Sequence, residues 1–383
     1  MRKRVALIGL CIITALFITA NIYPQTTPKP APSGTAGDNT PISKNTFIQI
    51  AQRVTPAVVN VWNLGEGGIF GGQKKQSGGT GFIIDAKKGT LLTNHHVVAG
   101  AKALAITLND KRIFKAKLIG SDPIYDVAVV EIVNPPADLK QVTLGNSDKV
   151  LPGEWVIAIG QPLFMDYTVT HGIVCSLGRE TRLGKAQMST IEYTGSYIMI
   201  DAVINPGNSG GPLFNANGEV IGINTIKLYA GYGYSIPINR ALETKDKIIK
   251  DGRVIRAYTG LLGSDIDDYL AMEFNTTVDD MVKDLGLKGP KGIFIRGATE
   301  GSPAAAESVG FVESDVLIEF DGKKVENLRD FRAIIEKLKP DQEVKLKYIR
   351  KGEEKSVTVK LAELGGGKKP DPKNQPAGED EEE

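Results

Sequence analysis

The chain has 383 residues, of which 41% are hydrophobic and 24% charged, and its 46 basic and 45 acidic side chains leave a formal net charge of +1. This composition indicates a globular protein with room for about two or three domains and excludes an intrinsically disordered chain. The net charge is nearly zero and there is no basic stripe, so nothing indicates nucleic-acid binding. The two cysteines, Cys11 and Cys175, are too few for a disulfide scaffold.

The first 23 residues predict a membrane anchor or signal segment. Basic residues 2–4 precede an uncharged, mostly apolar run from Val5 to Tyr23, which at about 19 residues can cross a bilayer as a helix. The positive flank predicts a cytoplasmic N-terminus and export of everything that follows. An uncleaved anchor is favoured over a cleaved signal peptide because small residues at a cleavage site are poorly marked. A mature N-terminus near Asn21 would indicate cleavage instead.

The next part of the chain passes from a linker into folded structure. Residues 24–44 are rich in Pro, Thr, Ser and Gly without an apolar period, which is typical of a flexible linker. Apolar residues return at helical spacing over 45–54, and Pro56 then turns the chain into a first strand at 57–61. Residues 65–79 contain too many glycines for a strand and predict a loop.

Short apolar runs with turn residues between them then recur and predict an all-β barrel or sandwich. These runs cover residues 81–84, 103–106, 127–132, 155–159, 198–200 and 220–223. Cys175 is expected to be a small buried hydrophobe, not a reactive thiol. His171 lies within another strand-like run, where an ordinary half-exposed histidine is expected.

Several polar residues stand at the ends of these runs. His95 and His96 end one strand-like run, and Asp126 lies where a polar loop enters a buried strand. Ser209 lies in Gly207-Asn208-Ser209-Gly210-Gly211, a tight turn that can project a hydroxyl while backbone N–H groups converge. Taken alone, this turn could equally be an ordinary hairpin. A serine nucleophile needs a histidine base and an acid that orients it, and both residue types lie upstream.

Three motifs resemble, in order, those of the HtrA/Deg-type serine proteases, a family of chymotrypsin-fold enzymes. They are Thr93-Asn94-His95-His96-Val97, Asp126-Val127-Ala128-Val129 and Gly207-Asn208-Ser209-Gly210-Gly211, in the chymotrypsin order of histidine, aspartate and serine. The resemblance implies that His96 is the general base, Asp126 its orienter and Ser209 the nucleophile, in two β-barrels that meet at a cleft. It also implies an oxyanion hole made by the backbone N–H groups of Gly207 and Ser209, with that of Asn208 close by.

The resemblance also suggests where the specificity pocket lies. In chymotrypsin-fold enzymes the residue six places before the nucleophile is at the pocket base, and here it is Val203, followed by Ile204. Ile223, Asn224 and Thr225 would contribute the walls. Because no carboxylate is available there to pair with Lys or Arg, we expect cleavage after medium-sized aliphatic residues such as Val, Ala, Ile or Leu.

The last third of the chain looks like a PDZ domain over residues 257–363, after a connector helix at 241–256. The loop and first groove strand of such a domain resemble Tyr258-Thr259-Gly260-Leu261-Leu262, and the later runs at 292–295, 301–305, 315–322 and 328–338 fit the pattern in order. A glycine turn can hold a chain-terminal carboxylate while the peptide adds as a strand beside Leu261 and Leu262. A small α/β domain without a ligand is the alternative.

The predicted fold class is therefore mainly β, with a chymotrypsin-like double β-barrel protease domain over residues 45–240 and an α/β PDZ domain behind it. Residues 364–383 should form a disordered, solvated acidic tail. No His, Cys, Asp and Glu residues cluster at metal-binding spacing, so no metal and no cofactor is expected.

The resemblance implies an exported serine endopeptidase that degrades or processes unfolded proteins in the periplasm. It further implies regulation by C-terminal peptides at the PDZ domain and assembly into trimers. A membrane-tethered, site-specific regulatory protease remains an alternative, as does a mainly non-proteolytic chaperone or peptide sensor. His95 is also open: it is either an exposed neighbour of His96 or a like charge that perturbs His96 at low pH.

Overall fold

The computed structural model describes residues 45–64, 75–161, 167–180, 196–227 and 231–364. The predicted anchor, the linker and the acidic tail lie outside this part of the chain. Within it, no helix combines the length and the apolar character needed to cross a membrane.

Six antiparallel strands close into a first barrel in the order β1-β2-β3-β6-β5-β4. They are β1 (Val58–Leu64), β2 (Lys75–Asp85), β3 (Thr90–Thr93), β4 (Ala103–Thr107), β5 (Ile113–Asp122) and β6 (Val127–Ile132). Inward-facing aliphatic side chains fill the barrel, among them Val59, Val61, Ile83, Leu91, Ile106 and Val130.

The loop predicted over residues 65–79 is wrong at its end, because β2 already begins at Lys75. The glycines that argued against a strand are used for close packing. Gly78 pairs with Trp62 of β1, and a Cβ atom at Gly78 would lie 3.0 Å from the indole ring. The ring therefore occupies the space that a side chain would need.

The second barrel closes because β11 pairs with both β8 and β12, and β7 (Thr143–Leu144) adds to β12 in parallel. Its strands are β8 (Trp155–Gly160), β9 (Thr168–Glu180), β10 (Ser196–Ile200), β11 (Pro212–Asn215), β12 (Glu219–Lys227) and β13 (Gly233–Pro237). Its interior is aliphatic, with Val156, Ala158, Val174, Ile198, Ile200 and Leu213.

Among the described residues, three α-helices accompany the barrels. Helix α1 (Thr46–Val54) buries Ile50 and Val54 in a core shared with Ile157 and Ile159 of β8. The single turn α2 (His95–Val98) follows β3 directly. Helix α3 (Ile238–Asp251) follows β13 and ends at Gly252, whose φ of +73° gives the left-handed conformation that glycine favours.

A third body follows α3 and has its own core around Leu261, Phe320, Phe331 and Leu346. Its sheet has the order β15-β16-β17-β19-β20, with β18 beside β17 and a separate β14-β21 pair. The elements are β14 (Ala257–Tyr258), β15 (Leu261–Asp265), α4 (Asp268–Glu273), α5 (Val278–Asp284), β16 (Ile293–Ala298), β17 (Val316–Phe320), β18 (Lys323–Lys324), α6 (Leu328–Ile335), β19 (Glu343–Arg350), β20 (Glu353–Lys360) and β21 (Ala362–Glu363). The mainly β class with two barrels and an α/β domain is thus confirmed.

Candidate active site

His96 and Asp126 form a close pair at one end of the first barrel. The imidazole Nδ1 lies 2.8 Å from Oδ2 and 3.0 Å from Oδ1 of the carboxylate. The same carboxylate accepts the backbone N–H of His96 at 3.0 Å. These contacts fix the ring and indicate a proton on Nδ1, which leaves Nε2 as an acceptor for a nucleophile's proton.

The backbone around Asp126 is held in an unusual conformation. Its φ of +53° lies in the left-handed region, which costs energy for a residue with a side chain. The buried Asn94 offsets this cost by donating its amide to the Asp126 carbonyl oxygen at 2.8 Å. The carboxylate accordingly points at His96 instead of following the line of β6.

Ser209 and Asp126 both contact Thr225 of strand β12. The Thr225 hydroxyl donates to Asp126 Oδ2 at 2.5 Å, while its carbonyl oxygen accepts the Ser209 hydroxyl at 3.0 Å. Within the described residues, Ser209 makes no hydrogen bond to His96. The structure thus brings the three predicted catalytic residues around Thr225, with the serine hydroxyl turned away from the base, as is common in sites without substrate.

The backbone of the serine turn has two uncommitted donors. Gly207 has a φ of +100°, which only glycine adopts readily. The N–H of Asn208 donates to the Asn205 carbonyl oxygen at 3.0 Å, so it is committed to the turn. The N–H groups of Gly207 and Ser209 donate to no acceptor among the residues that the structure covers.

The five residues predicted to line the specificity pocket have different surroundings in the structure. Val203 is 46% exposed, whereas Ile204 and Ile223 are buried in two different cores. Asn224 is buried as well, donating to the Pro212 carbonyl oxygen at 3.0 Å and accepting from a neighbouring serine at 2.9 Å. Thr225 supports Asp126. For the three residues on β12, Ile223, Asn224 and Thr225, the sequence did not show which face of the strand each occupies.

The predicted peptide groove has two notable features. Strand β15 lies at the edge of its sheet, so its outer backbone groups can pair with an added strand. The preceding Gly260 has a φ of +82°, and a Cβ atom there would lie 2.1 Å from Ser302 Cβ. The Ser302 hydroxyl is buried without a partner among the described residues.

The other residues predicted for the groove are placed as follows. Leu261 packs into the core, and the Leu261 N–H donates to the Thr259 hydroxyl at 3.2 Å. Tyr258 belongs to β14.

At the far end of this groove the edge strand is tied to helix α6. Asp265, the last residue of β15, accepts the backbone N–H of Leu328 at 2.7 Å. Leu262 is nearly buried on the same strand. Strand and helix therefore keep a fixed spacing at this end, as a groove for an extended peptide requires.

His95, next to the base, is half-buried and contacts Ser121, with Nδ1 lying 2.8 Å from the hydroxyl oxygen. Burial lowers the pKa of His95 below its usual value of 6.5, in the same direction as the His96 charge. The Asp126 and Asp122 carboxylates oppose this shift without cancelling it. His95 is therefore an uncharged, hydrogen-bonded residue near neutral pH.

Known proteins match both halves of the chain. Residues 79–223 match the trypsin-like peptidase domain and residues 270–361 the PDZ domain. A "probable periplasmic serine endoprotease DegP-like" of Marinomonas sp. is 35% identical over 356 residues, covering 82% of this chain and 71% of the relative. A protein of the same description from Chlamydia trachomatis is 37% identical over 291 residues, covering 75% of this chain and 54% of the relative.

Solved structures agree with these relatives. The HtrA-type protease AlgW with a tripeptide superimposes with a TM-score of 0.66 at 33% identity, over 83% of this chain and 97% of that one. A serine endoprotease from Yersinia pestis superimposes with a TM-score of 0.62 at 29% identity, over 85% and 99%.

The lowered pKa of His95 predicts a loss of stability in acid. Below about pH 6.5 the unfolded chain binds a proton at this position more readily than the folded chain, so the free energy of unfolding falls as the pH falls. In His95→Asn this contribution disappears, and the decline between about pH 7.5 and 5.5 should become shallower. Denaturant titrations of wild type and His95→Asn at the two ends of this pH range measure the free energy of unfolding. An equal decline in both proteins would contradict the argument from the burial of His95.

Proposed function

The chain belongs to the HtrA-type serine proteases and is an extracytoplasmic serine endopeptidase, and from this premise we propose that Ser209, His96 and Asp126 carry out its reaction. The observation that supports these roles is the arrangement in which Asp126 holds His96 through Nδ1 while Thr225 contacts both Asp126 and Ser209. Acid, base and nucleophile thus come from two barrels to one place.

In the proposed reaction the Ser209 hydroxyl rotates from the Thr225 carbonyl oxygen toward His96 Nε2. The ring takes the hydroxyl proton as Oγ attacks the scissile carbonyl carbon, and Asp126 stabilises the imidazolium. The N–H groups of Gly207 and Ser209 receive the negative oxygen of the tetrahedral intermediate. When the C–N bond breaks, His96 gives its proton to the leaving amine, and a water activated by the same ring then hydrolyses the acyl-enzyme.

We propose unfolded or partly folded proteins as substrates, cut after medium-sized aliphatic residues. Residues 203–204 and 223–225 carry no carboxylate, so nothing there would pair with Lys or Arg. C-terminal peptides would bind along β15, with their carboxylate at the Gly260 turn near the Ser302 hydroxyl. The bound peptide in AlgW supports peptide binding in this family.

A site-specific regulatory protease is the second candidate function. The observation that favours it is the apolar run from Val5 to Tyr23, because a tethered enzyme meets membrane proteins at high local concentration. We propose that this run anchors the chain in the inner membrane with the catalytic domain in the periplasm. A mainly non-proteolytic holding role is disfavoured by the complete triad.

Hydrolysis of reduced casein by the full-length chain tests the proposed function. We expect cleavage that Ser209→Ala abolishes and that rises several-fold with a peptide ending in a free apolar carboxyl terminus. The same peptide with an amidated C-terminus is the control and should not stimulate. Cleavage that persists in Ser209→Ala would refute the assignment of the nucleophile, and equal stimulation by both peptides would refute carboxylate recognition.

We propose a physical route by which the PDZ domain regulates the site. Asp122 ends β5 and Tyr125 lies on the turn that leads into Asp126, and both contact Arg256, the residue before β14. Arg256 makes a buried ion pair with Asp122, with nitrogen–oxygen distances of 2.8 and 2.5 Å, and its guanidinium stacks 4.4 Å from the Tyr125 ring centre. Removing either partner of such a buried pair would leave an uncompensated charge.

The Tyr125 hydroxyl extends this contact to helix α6. It donates to Glu336 at 2.7 Å, and Arg240 of α3 reaches the same carboxylate at 2.8 Å. Burial would raise the pKa of Glu336, but its bonds to Tyr125 and Arg240 outweigh burial and lower it. Because α6 faces the peptide strand, a peptide that shifts α6 can act on the turn before Asp126.

We expect Glu336→Ala to uncouple the peptide from the active site. The ratio of peptide-stimulated to basal activity should fall toward one, while peptide affinity, measured by fluorescence anisotropy, stays within about twofold. Glu326→Ala is the matched control, since the Glu326 carboxylate pairs with Lys291 and Lys324 of its own domain. An unchanged ratio in Glu336→Ala would exclude this route.

We also propose that the chain assembles into trimers through an aromatic patch on the second barrel. Phe47 of α1 stacks on His171 at 4.8 Å and approaches Trp155 at 5.5 Å between ring centres. Ile48, Trp155 and Val169 beside them are 56%, 42% and 42% exposed. Such a contiguous apolar surface is typical of subunit interfaces.

Ile48→Asp should dissociate the assembly, since it places a charge in this apolar patch. Sedimentation of the full-length chain in detergent measures the change. Ile249→Asp is the control, because Ile249 on α3 is also 56% exposed but lies outside the patch. Equal sedimentation of wild type and Ile48→Asp would place the interface elsewhere.

A further inference from the structure

We propose that Thr80, a buried residue of the first barrel, is a positioning residue that sets the direction of the oxyanion-hole donor at Gly207. This inference rests on the proposed roles of Ser209 and Gly207. Thr80 lies on strand β2, far in sequence from the serine turn, and its side chain touches no reacting atom. Its effect would therefore pass through the backbone of the turn.

Thr80 holds the serine turn at two points. Its backbone N–H donates to the Ser209 carbonyl oxygen at 2.9 Å, and its hydroxyl donates to the Gly207 carbonyl oxygen at 2.6 Å. Thr80 itself is fully buried, so both of its donors are shielded from water, while the two acceptors lie on half-buried residues. A hydroxyl and an N–H of the first barrel thus hold two carbonyl groups of the second.

The direction of the hydroxyl is determined by a third bond. The backbone N–H of Gln161, at the end of β8, donates to Thr80 Oγ1 at 2.9 Å. Because a hydroxyl has one proton, and Gln161 supplies its own, the Thr80 proton must point at the Gly207 carbonyl oxygen. The chain of donors therefore runs in one direction, from Gln161 through Thr80 to Gly207.

This bond completes the fixation of one peptide plane. The carbonyl group of the Gly207–Asn208 peptide is held by Thr80, and its N–H is held by Asn205 at 3.0 Å. The Gly207 N–H belongs to the preceding peptide plane. Because the Gly207–Asn208 plane is fixed, the preceding plane can turn only about the two backbone bonds at the Gly207 Cα atom. Thr80 thereby limits the positions that the donor can take, and such preorganisation is what an oxyanion hole needs.

Two glycines make the approach of Thr80 possible. A Cβ atom at Gly79 would lie 2.9 Å from the Ser209 carbonyl oxygen, and one at Gly210 would lie 2.1 Å from the Thr80 carbonyl oxygen. Any side chain at either position would push β2 away from the serine turn. The close approach is thus a property of this local sequence, and Thr80 is the residue that uses it for hydrogen bonds.

A pair of substitutions separates the hydroxyl from the shape of the side chain. Thr80→Val keeps the branched shape and the backbone N–H but loses the hydroxyl, whereas Thr80→Ser keeps the hydroxyl. On a peptide substrate cut after Val, we expect kcat of Thr80→Val to fall about 10- to 100-fold with KM within about threefold. Thr80→Ser should stay within about threefold of wild type in both. Thr55→Val is the control, because its hydroxyl donates to the Ala51 carbonyl oxygen at 2.6 Å, away from the site.

The affinity for a peptide aldehyde distinguishes a positioning role of Thr80 from a merely structural one. The aldehyde adds to Ser209 and forms a tetrahedral oxyanion, so its affinity should fall in Thr80→Val by about the same factor as kcat, while KM holds. The proposal would be overturned if Thr80→Val lowered only the melting temperature. In that case kcat per titrated active site and the affinity for the aldehyde would both be unchanged. If Thr80→Val does not fold, the same comparison is made between Thr80→Ala and Thr80→Ser, and equal kcat values would overturn it. Failure of the proposed function itself would show separately, as wild-type hydrolysis that does not need Ser209.

Discussion

The structure depends above all on hydrogen bonds that cross from one barrel to the other. His96 and Asp126 belong to the first barrel and Ser209 to the second, so neither barrel alone contains a complete site. Thr225 reaches from the second barrel to Asp126, and Thr80 reaches from the first barrel to the serine turn. Since these crossing bonds are short and partly buried, a small relative movement of the barrels would break several of them together.

The described site combines fixed and adjustable parts. The histidine ring, the carboxylate and the Gly207–Asn208 peptide are held from two sides, whereas the Ser209 hydroxyl rests on the Thr225 carbonyl oxygen. A rotation of one side chain would bring that hydroxyl to the base. Rotation about one side-chain bond therefore separates the observed arrangement from the one that the proposed reaction requires.

The turn before Asp126 makes contacts with residues outside the two barrels. Asp122 is fully buried against Arg256, and the guanidinium groups of Arg256 and Arg240 both lie over the Tyr125 ring, 4.4 and 4.7 Å from its centre. Burial raises the pKa of the Tyr125 hydroxyl well above its usual value, so it remains a donor to Glu336. The Asp126 carboxylate thus follows closely after two residues that bond to Arg256 and Glu336, and these bonds form the proposed route between peptide binding and the active site.

The sequence by itself determined the mainly β class, the two-part organisation and the identity of the candidate triad. The β class rested on apolar runs between turn residues, whereas the triad rested on three short motifs that resemble those of the HtrA-type proteases. Tertiary structure alone decided the use of Thr80, Thr225 and the predicted pocket residues. Threonine in a strand gives no sign of its hydrogen-bond partner when that partner is more than a hundred residues away, as with Thr80 and Gly207. Likewise Ile223 and Asn224 on β12 were predicted as pocket walls, and only the strand register shows that both side chains are buried, because a one-residue change of register exchanges the two faces of a strand.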